Sequence, residues 1–149
     1  MQLRADELAT AQRAFNARGS KVVRCEGCLL PTENCMCASK PTPAGQCAVA
    51  FVMYKGEYYK PTNTGRLIAD VIADNHAFLW HRTMPCEPLL ALLNNPLYQP
   101  IIVFPHEYAS EERCIHQPVA APNKKLLFIF LDGTWREARK NVWEESVLR

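Results

Sequence analysis

Four thiols fall within one short stretch, Cys25-x2-Cys28-x6-Cys35-x-Cys37. Zinc takes four deprotonated, soft ligands at tetrahedral vertices. A Cys-x2-Cys hairpin supplies two of them, and a second close pair completes the site. Pro31 and Asn34 provide turn chemistry between the two halves. The spacing therefore predicts a structural zinc knuckle over residues 22–40, with Cys25, Cys28, Cys35 and Cys37 as ligands. Four unmetallated thiols and an iron–sulfur cluster are the alternatives, since a Cys-x-Cys pair also holds iron. Four cysteine ligands leave no open position for a substrate, so the metal is structural rather than catalytic. Lys21, Arg24 and Lys40 flank the cluster, against Glu26 and Glu33.

A second constellation is Leu126-Leu-Phe-Ile-Phe-Leu131 running into Asp132-Gly133-Thr134-Trp135-Arg136-Glu137. Thr134 and Glu137 form a capping box that starts a helix without help from Asp132. Asp132 is then either an extra cap or a carboxylate free for chemistry at a strand end. The helix N-terminus beside it favours its ionised form. A third is Glu57-Tyr-Tyr-Lys60-Pro-Thr62-Asn63-Thr64-Gly65-Arg66. Three capping residues in a row exceed what one helix needs. Either the helix is over-capped, or Lys60 and Arg66 bracket an anion held by free backbone N–H groups.

His76, His81, His106 and His116 show no metal-like spacing and read as surface or satisfied-core histidines, with a pocket-lining place after Phe104-Pro105 as the alternative for His106. No P-loop, Gly-x-Gly-x-x-Gly, Gly-x-Ser-x-Gly or His-Glu-x-x-His pattern occurs. Cys47, Cys86 and Cys114 are scattered and read as core thiols. Clustering of the other four suits metal ligation in a reducing compartment better than disulfides.

The elements that must position these residues follow from periodicity. Residues 3–18 read as a helix with Leu8, Ala11 and Phe15 on one face, Arg4, Asp6, Glu7 and Arg13 elsewhere, and Gly19 as its C-terminal cap. Residues 41–45 are a stiff connector. Then come a strand at Cys47–Tyr54, a helix at Thr64–Asp74 on Leu67, Ile68, Val71 and Ile72, and a strand at Ala77–Trp80. A helix follows from Pro85 or Cys86 to Asn94, then a strand at Ile101–Phe104. Residues 105–124 are irregular with a helical turn near Tyr108–Glu112. Leu126–Leu131 is a strand, and Trp135–Leu148 the last helix. This alternation, with strands apolar throughout, predicts an α/β fold: a mainly parallel sheet with flanking helices, buried on both faces. Ligands of such sheets bind beyond the C-terminal strand ends. The expected organisation is residues 1–40 as N-terminal helix and zinc knuckle, and 46–149 as the α/β domain.

At 149 residues, 48% hydrophobic and 21% charged, the chain has globular values. Its longest apolar run, Cys47 to Tyr54, is far below the roughly 20 residues of a membrane span. The N-terminus lacks a secretory pattern, so a cytoplasmic protein with no membrane association is expected. The net charge of +2 requires that any nucleic-acid surface come from local arrangement.

The three constellations follow one another along the chain as the knuckle, the Glu57–Arg66 run and the Asp132–Trp135 turn, and with Val103-Phe104-Pro105 closing an earlier strand they resemble the DTW-domain family over roughly residues 22–149. Within that family they resemble the bacterial tRNA-uridine aminocarboxypropyltransferases. The resemblance implies a SPOUT-like core with a C-terminal knot and S-adenosylmethionine as donor. It implies transfer of the 3-amino-3-carboxypropyl arm to N3 of a uridine in the tRNA variable loop, with methylthioadenosine leaving. Carried onto this sequence, it makes Asp132 the catalytic carboxylate, as base or as orienter of the donor's amino group. Phe104, Pro105, Gly133, Thr134 and Trp135 line the donor pocket. Thr62, Asn63, Thr64 and Arg66 hold the donor carboxylate or an RNA phosphate. Lys60 and Arg66, with Lys21, Arg24 and Lys40 near the knuckle, face tRNA.

Tyr54-Lys55 stands where the family commonly has His-Pro, and Lys60 where it often has arginine, which keeps the charge but loses bidentate geometry. Family members continue past the helix after Asp-x-Thr-Trp, so the resemblance implies that this chain lacks the knot segment. Weak or absent donor binding, no aminocarboxypropyl transfer, and self-association through an uncovered sheet edge, with Trp143 and Val147 exposed, are the corresponding expectations. A SPOUT-like RNA methyltransferase and a non-catalytic zinc-knuckle RNA-binding module are the alternative readings.

Overall fold

The computed structural model of the chain describes residues 2–9, 21–81 and 84–134. Four strands, β1 (Ala44–Met53), β2 (Ile72–Leu79), β3 (Tyr98–Val103) and β4 (Lys125–Asp132), form one sheet in the order β2-β1-β4-β3. Every neighbouring pair is parallel. The parallel α/β architecture expected from the sequence is therefore present.

The pleat divides β1 between two cores. Ala48, Ala50 and Val52 pack with Leu127, Ile129, Trp80 and with Leu89 and Leu92 of α3 (Glu87–Leu93). Val49, Phe51 and Met53 face the other way, with Tyr58, Phe128, Phe130, and with Leu3 of α1 (Gln2–Ala9) and Ile68 and Ala69 of α2 (Gly65–Ala69). Central position plus cover on both faces leaves residues 48–53 without exposed side chains, which explains their unbroken apolar run. β2, at the sheet edge, alternates between half-buried and exposed residues over most of its length. No helix among the described residues is long and apolar enough to cross a membrane.

Several expected elements are corrected. The helix read over Thr64–Asp74 is the five-residue α2, and β2 begins at Ile72, five residues before the expected strand. Leu67, Ile68, Val71 and Ile72 mimic a helical stripe, but the last two are β-branched and the Ala44 N–H already bonds the Val71 carbonyl at 3.0 Å. β3 starts at Tyr98 and ends at Val103, so Phe104 lies past it. The single turn expected near Tyr108 is two short 3-10 turns, His106–Tyr108 and Glu111–Arg113. Cys47 and Cys114 are half-buried rather than core thiols, Cys86 is half-buried but packs against the core, and the buried cysteine is Cys28, in the cluster.

In α1 the inward face is also different. Leu8 is exposed, while Leu3 packs on the sheet and the Glu7 carboxylate accepts a hydrogen bond from Tyr58 Oη at 2.9 Å. Ala11, Phe15 and Gly19 of the expected first helix lie outside the described residues. So do Trp135, Glu137 and the whole last helix with Trp143 and Val147.

Candidate metal centre and strand-end site

The cysteine cluster is built by local backbone turns. Arg24 and Pro31 form an isolated antiparallel bridge, the Cys25 N–H bonds the Leu30 carbonyl at 2.9 Å, and Leu29, at φ 53°, sends its N–H back to the Cys25 carbonyl at 2.8 Å. The four sulfur atoms lie within 4.8 Å of one another, and all seven cysteines are free thiols. Zn–S bonds of about 2.3 Å in a tetrahedron set the sulfurs about 3.8 Å apart. Here Cys25–Cys37 is 3.6 Å, Cys28–Cys35 is 3.7 Å and Cys25–Cys35 is 3.5 Å. These separations fit a four-thiolate cage and are far above the disulfide S–S distance of about 2.05 Å.

Backbone N–H groups of Met36 and Leu30 draw the Cys28 thiol down to about 6 against the effect of burial. Hydrogen bonds from the Cys37 thiol to Cys25 and Cys35 push it up to about 12. Four thiols this close cannot all ionise without a cation among them, and a thiolate-binding metal meets that need. Gly27 has no room for a larger residue: a Cβ there would sit 3.0 Å from Cys37 Sγ.

The cluster is tied to α2 twice. Arg66 Nη2 donates to the Gly27 carbonyl at 2.8 Å, and Lys40 pairs with Asp70 at 2.8 Å. Arg24 Nη1 donates to the Leu29 carbonyl at 3.0 Å, and Lys60 pairs with Glu57 at 2.6 Å. Of the five basic residues expected to face RNA, four thus also hold internal partners; Lys21 is exposed beside the knuckle.

The second site is made by the sheet. β1 and β4 are adjacent, with Met53 opposite Asp132, and the Tyr54 N–H bonds the Asp132 carbonyl at 2.9 Å. The loop leaving β1 folds back over this junction. Asn63 Nδ2 donates to Asp132 Oδ2 at 2.5 Å, joining residues 69 apart in sequence. Asn63 Oδ1 meanwhile accepts the Gly65 N–H at 2.9 Å. Thr64 is the cap residue of α2 but its side chain makes no cap bond, so Asn63 takes over that work from the neighbouring position. Gly65 allows the close approach, since a Cβ there would lie 3.0 Å from the Phe51 ring and 3.1 Å from Asn63 Oδ1.

Burial pushes the Asp132 carboxyl above the ordinary carboxylate range; the Asn63 hydrogen bond and Lys60 oppose this, and Glu57 reinforces it. Burial thus counters the ionising effect expected from a helix N-terminus. An amide-oriented carboxylate of raised pKa at a C-terminal strand junction can accept a proton or orient a cationic amino group.

The remaining expected donor residues are spread out. Gly133 directly follows Asp132 and is half-buried, and Thr134 and Thr62 are exposed. Phe104 and Pro105 line a separate cavity of about 270 Å³ beyond β3, with His106, Arg113 and His116. His106 thus takes the alternative, pocket-lining place rather than that of a plain surface histidine. Asn63, Lys60 and Arg66 line another cavity of about 310 Å³ on the α1–α2 face. Sequence reasoning missed Arg4 and Tyr58 on that second wall. An arginine on the polar side of an amphipathic helix gives no signal of its own.

The family model described as DTW domain matches residues 22–149. No solved structure matches the chain.

Proposed function

The chain belongs to the DTW-domain family, which is related to tRNA-uridine aminocarboxypropyltransferases, and on that premise we propose that it performs this transfer. S-adenosylmethionine supplies the 3-amino-3-carboxypropyl arm, N3 of a uridine in the tRNA variable loop accepts it, and methylthioadenosine leaves. The observation that carries the reading is the Asn63–Asp132 hydrogen bond, which joins the Thr62-Asn63-Thr64 turn to the Asp132-Gly133-Thr134 turn at one strand junction.

The donor brings an electrophilic carbon next to a sulfonium. What the protein must add is alignment and a place for a proton. Asp132 takes the uridine N3 proton as N3 forms its bond to the arm's terminal carbon. The carbon–sulfur bond breaks, and its electron pair neutralises the sulfonium. A carboxylate whose pKa is raised by burial is a stronger base than an exposed one, which suits a weakly acidic N3–H. Asn63 fixes which carboxylate oxygen faces the acceptor. Phe104 and Pro105 shape the donor side, with Gly133, Thr134 and Trp135 following Asp132. Cys25, Cys28, Cys35 and Cys37 hold a structural zinc ion, and Lys21, Arg24, Lys40, Lys60 and Arg66 give the surface its attraction for tRNA. Under this reading the protein works where tRNA does, in the cytoplasm.

Nucleoside analysis of total tRNA from a strain lacking the gene, with and without complementation, tests the proposal. The account expects aminocarboxypropyluridine to vanish and return. Loss of a methylated nucleoside instead would assign methyl transfer, and an unchanged nucleoside profile would contradict catalysis on tRNA.

A further inference from the structure

The cavity of about 310 Å³ on the α1–α2 face touches the transfer chemistry only through Asn63. Its floor is apolar, with Phe51 and Met53 of β1. Its walls carry three cations from three segments: Arg4 from α1, Lys60 from the loop after β1, and Arg66 from α2. Lys60 is already engaged by Glu57, and the acid on the wall, Asp70, is engaged by Lys40 at 2.8 Å. Arg4 Nε is buried with no hydrogen-bond partner among the described residues. Burial lowers the Arg4 pKa, and the neighbouring Arg66 charge lowers it further. A buried donor without an acceptor costs about 1–3 kcal/mol, and adjacent like charges add to that. One anion beside both guanidiniums relieves the two costs together.

An anion site over a floor of aromatic ring and thioether suits a ligand with one charged end and one flat, weakly polar body. A nucleotide has that shape, with the phosphate on the arginines and the base against the floor. S-adenosylmethionine does not fit as well. Its sulfonium and ammonium outweigh its carboxylate, and a cation-lined wall repels a net positive molecule. We infer that this cavity receives one nucleotide of the acceptor RNA, with its phosphate at Arg4 and Arg66, its base over Phe51 and Met53, and its edge toward Asn63. The choice of uridine as base and of RNA as source rests on the proposed transferase activity; the anion site does not. Arg4 precedes the residues matched to the family, so α1 supplies half of the phosphate grip.

Calorimetric titration of uridine 5′-monophosphate into the full chain tests this. The nucleotide should bind more tightly than uridine, and inorganic phosphate and tRNA should each displace it. Arg4→Gln should weaken it on the order of tenfold, the worth of one hydrogen bond to a charged group. Equal binding of nucleotide and nucleoside, or unchanged affinity in a folded Arg4→Gln variant, would overturn the inference. Binding that tRNA cannot displace would overturn RNA as the source and leave a free nucleotide as ligand. Phosphate displacement is read on the wild-type chain, so a variant that misfolds does not remove the test. None of these readouts requires transfer. A chain that grips the nucleotide through Arg4 yet forms no aminocarboxypropyluridine contradicts the proposed function alone.

Discussion

The cysteine knuckle and the strand-end site reach the same kind of result, four or five groups held at fixed distances, by opposite routes. The knuckle draws all its ligands from residues 25–37, and its backbone hydrogen bonds, such as Leu29 to Cys25 and Thr32 to Val23, stay within that short segment and its start. The strand-end site joins residues 69 apart, and only the parallel register of β1 with β4 brings them together. Local chain geometry plus one ion suffices for the first. The second exists only if the whole sheet does. Arg66 and Asp70, in the α2 segment that follows the Asn63 turn, tie to the knuckle through the Gly27 carbonyl and Lys40 at 2.8 Å each.

The largest effect that should separate them is metal removal. Structural zinc contributes on the order of 10–16 kcal/mol in comparable small sites. Chelation should therefore release residues 22–40 while β1 and β4 stay folded. Hydrogen exchange read segment by segment would show amides near Cys25 and Leu29 at free-chain rates and those of residues 48–53 still protected. Metal analysis of the untreated protein should find one zinc per chain. Iron, or no metal, would break the account of the knuckle. Loss of protection everywhere would break the distinction between the regions.

The converse perturbation is Leu127→Ala. Leu127 is fully buried between β1 and α3, so the cavity should cost about 2–5 kcal/mol in denaturant unfolding. Zinc content should not change, because no ligand depends on that core.

A smaller effect sharpens the chemistry. Asn63→Ala removes the hydrogen bond that holds the Asp132 pKa down, so that pKa should rise further. If Asp132 is the base, the ascending limb of the pH–rate profile moves to higher pH, and turnover falls on the order of tenfold at a fixed lower pH. An unmoved limb would make Asp132 an orienter of the donor rather than a base.

The smallest effect contrasts two carboxylates. For Asp74, burial raises the pKa, but hydrogen bonds from Lys125 at 2.8 Å, Tyr98 at 3.1 Å and His76 at 3.0 Å prevail and lower it. Its stabilisation is present above the ordinary aspartate range and is lost as pH falls through the lowered folded value. Asp132 runs the other way. Its raised pKa gives a contribution present below the ordinary range and lost as pH rises through the folded value. Asp74→Asn should therefore lower the melting temperature by a few degrees at neutral pH and have little effect in acid. Asp132→Asn should leave the neutral-pH melting temperature equal or higher. Melting curves from acid to neutral pH read both signs.

The same contrast explains what was legible in the sequence. The knuckle could be read because its four ligands and its turn residues are neighbours. The sheet could be read because Cys47–Tyr54 and Leu126–Leu131 are apolar on both faces, a signal that survives without knowing the partners. The strand-end pair was legible in half. Asp132 and the Thr-Asn-Thr turn stood out separately, but nothing local says that Asn63 rather than Thr62 or Thr64 meets the carboxylate. Val71 and Ile72 misled because a helical stripe and the start of an edge strand look alike over four residues. In α1 apolarity points Leu8 inward, yet the fold half-buries Glu7 against Tyr58 and leaves Leu8 outside. Arg4 acquires meaning only from Phe51, Met53 and Arg66, residues that tertiary structure alone brings to it.

The proposed transfer turns on Asp132 as its carboxylate. The direct measurement is incubation of the purified chain with S-adenosylmethionine and unmodified tRNA, followed by mass analysis of the nucleosides, for wild type and for Asp132→Asn. Where the donor binds, the wild type should yield aminocarboxypropyluridine and methylthioadenosine in equal amounts. Asp132→Asn should lower that yield on the order of 10² or more, with zinc content preserved and the neutral-pH melting temperature equal or higher. Wild-type yield from Asp132→Asn, or a methyl group in place of the larger arm, would contradict it.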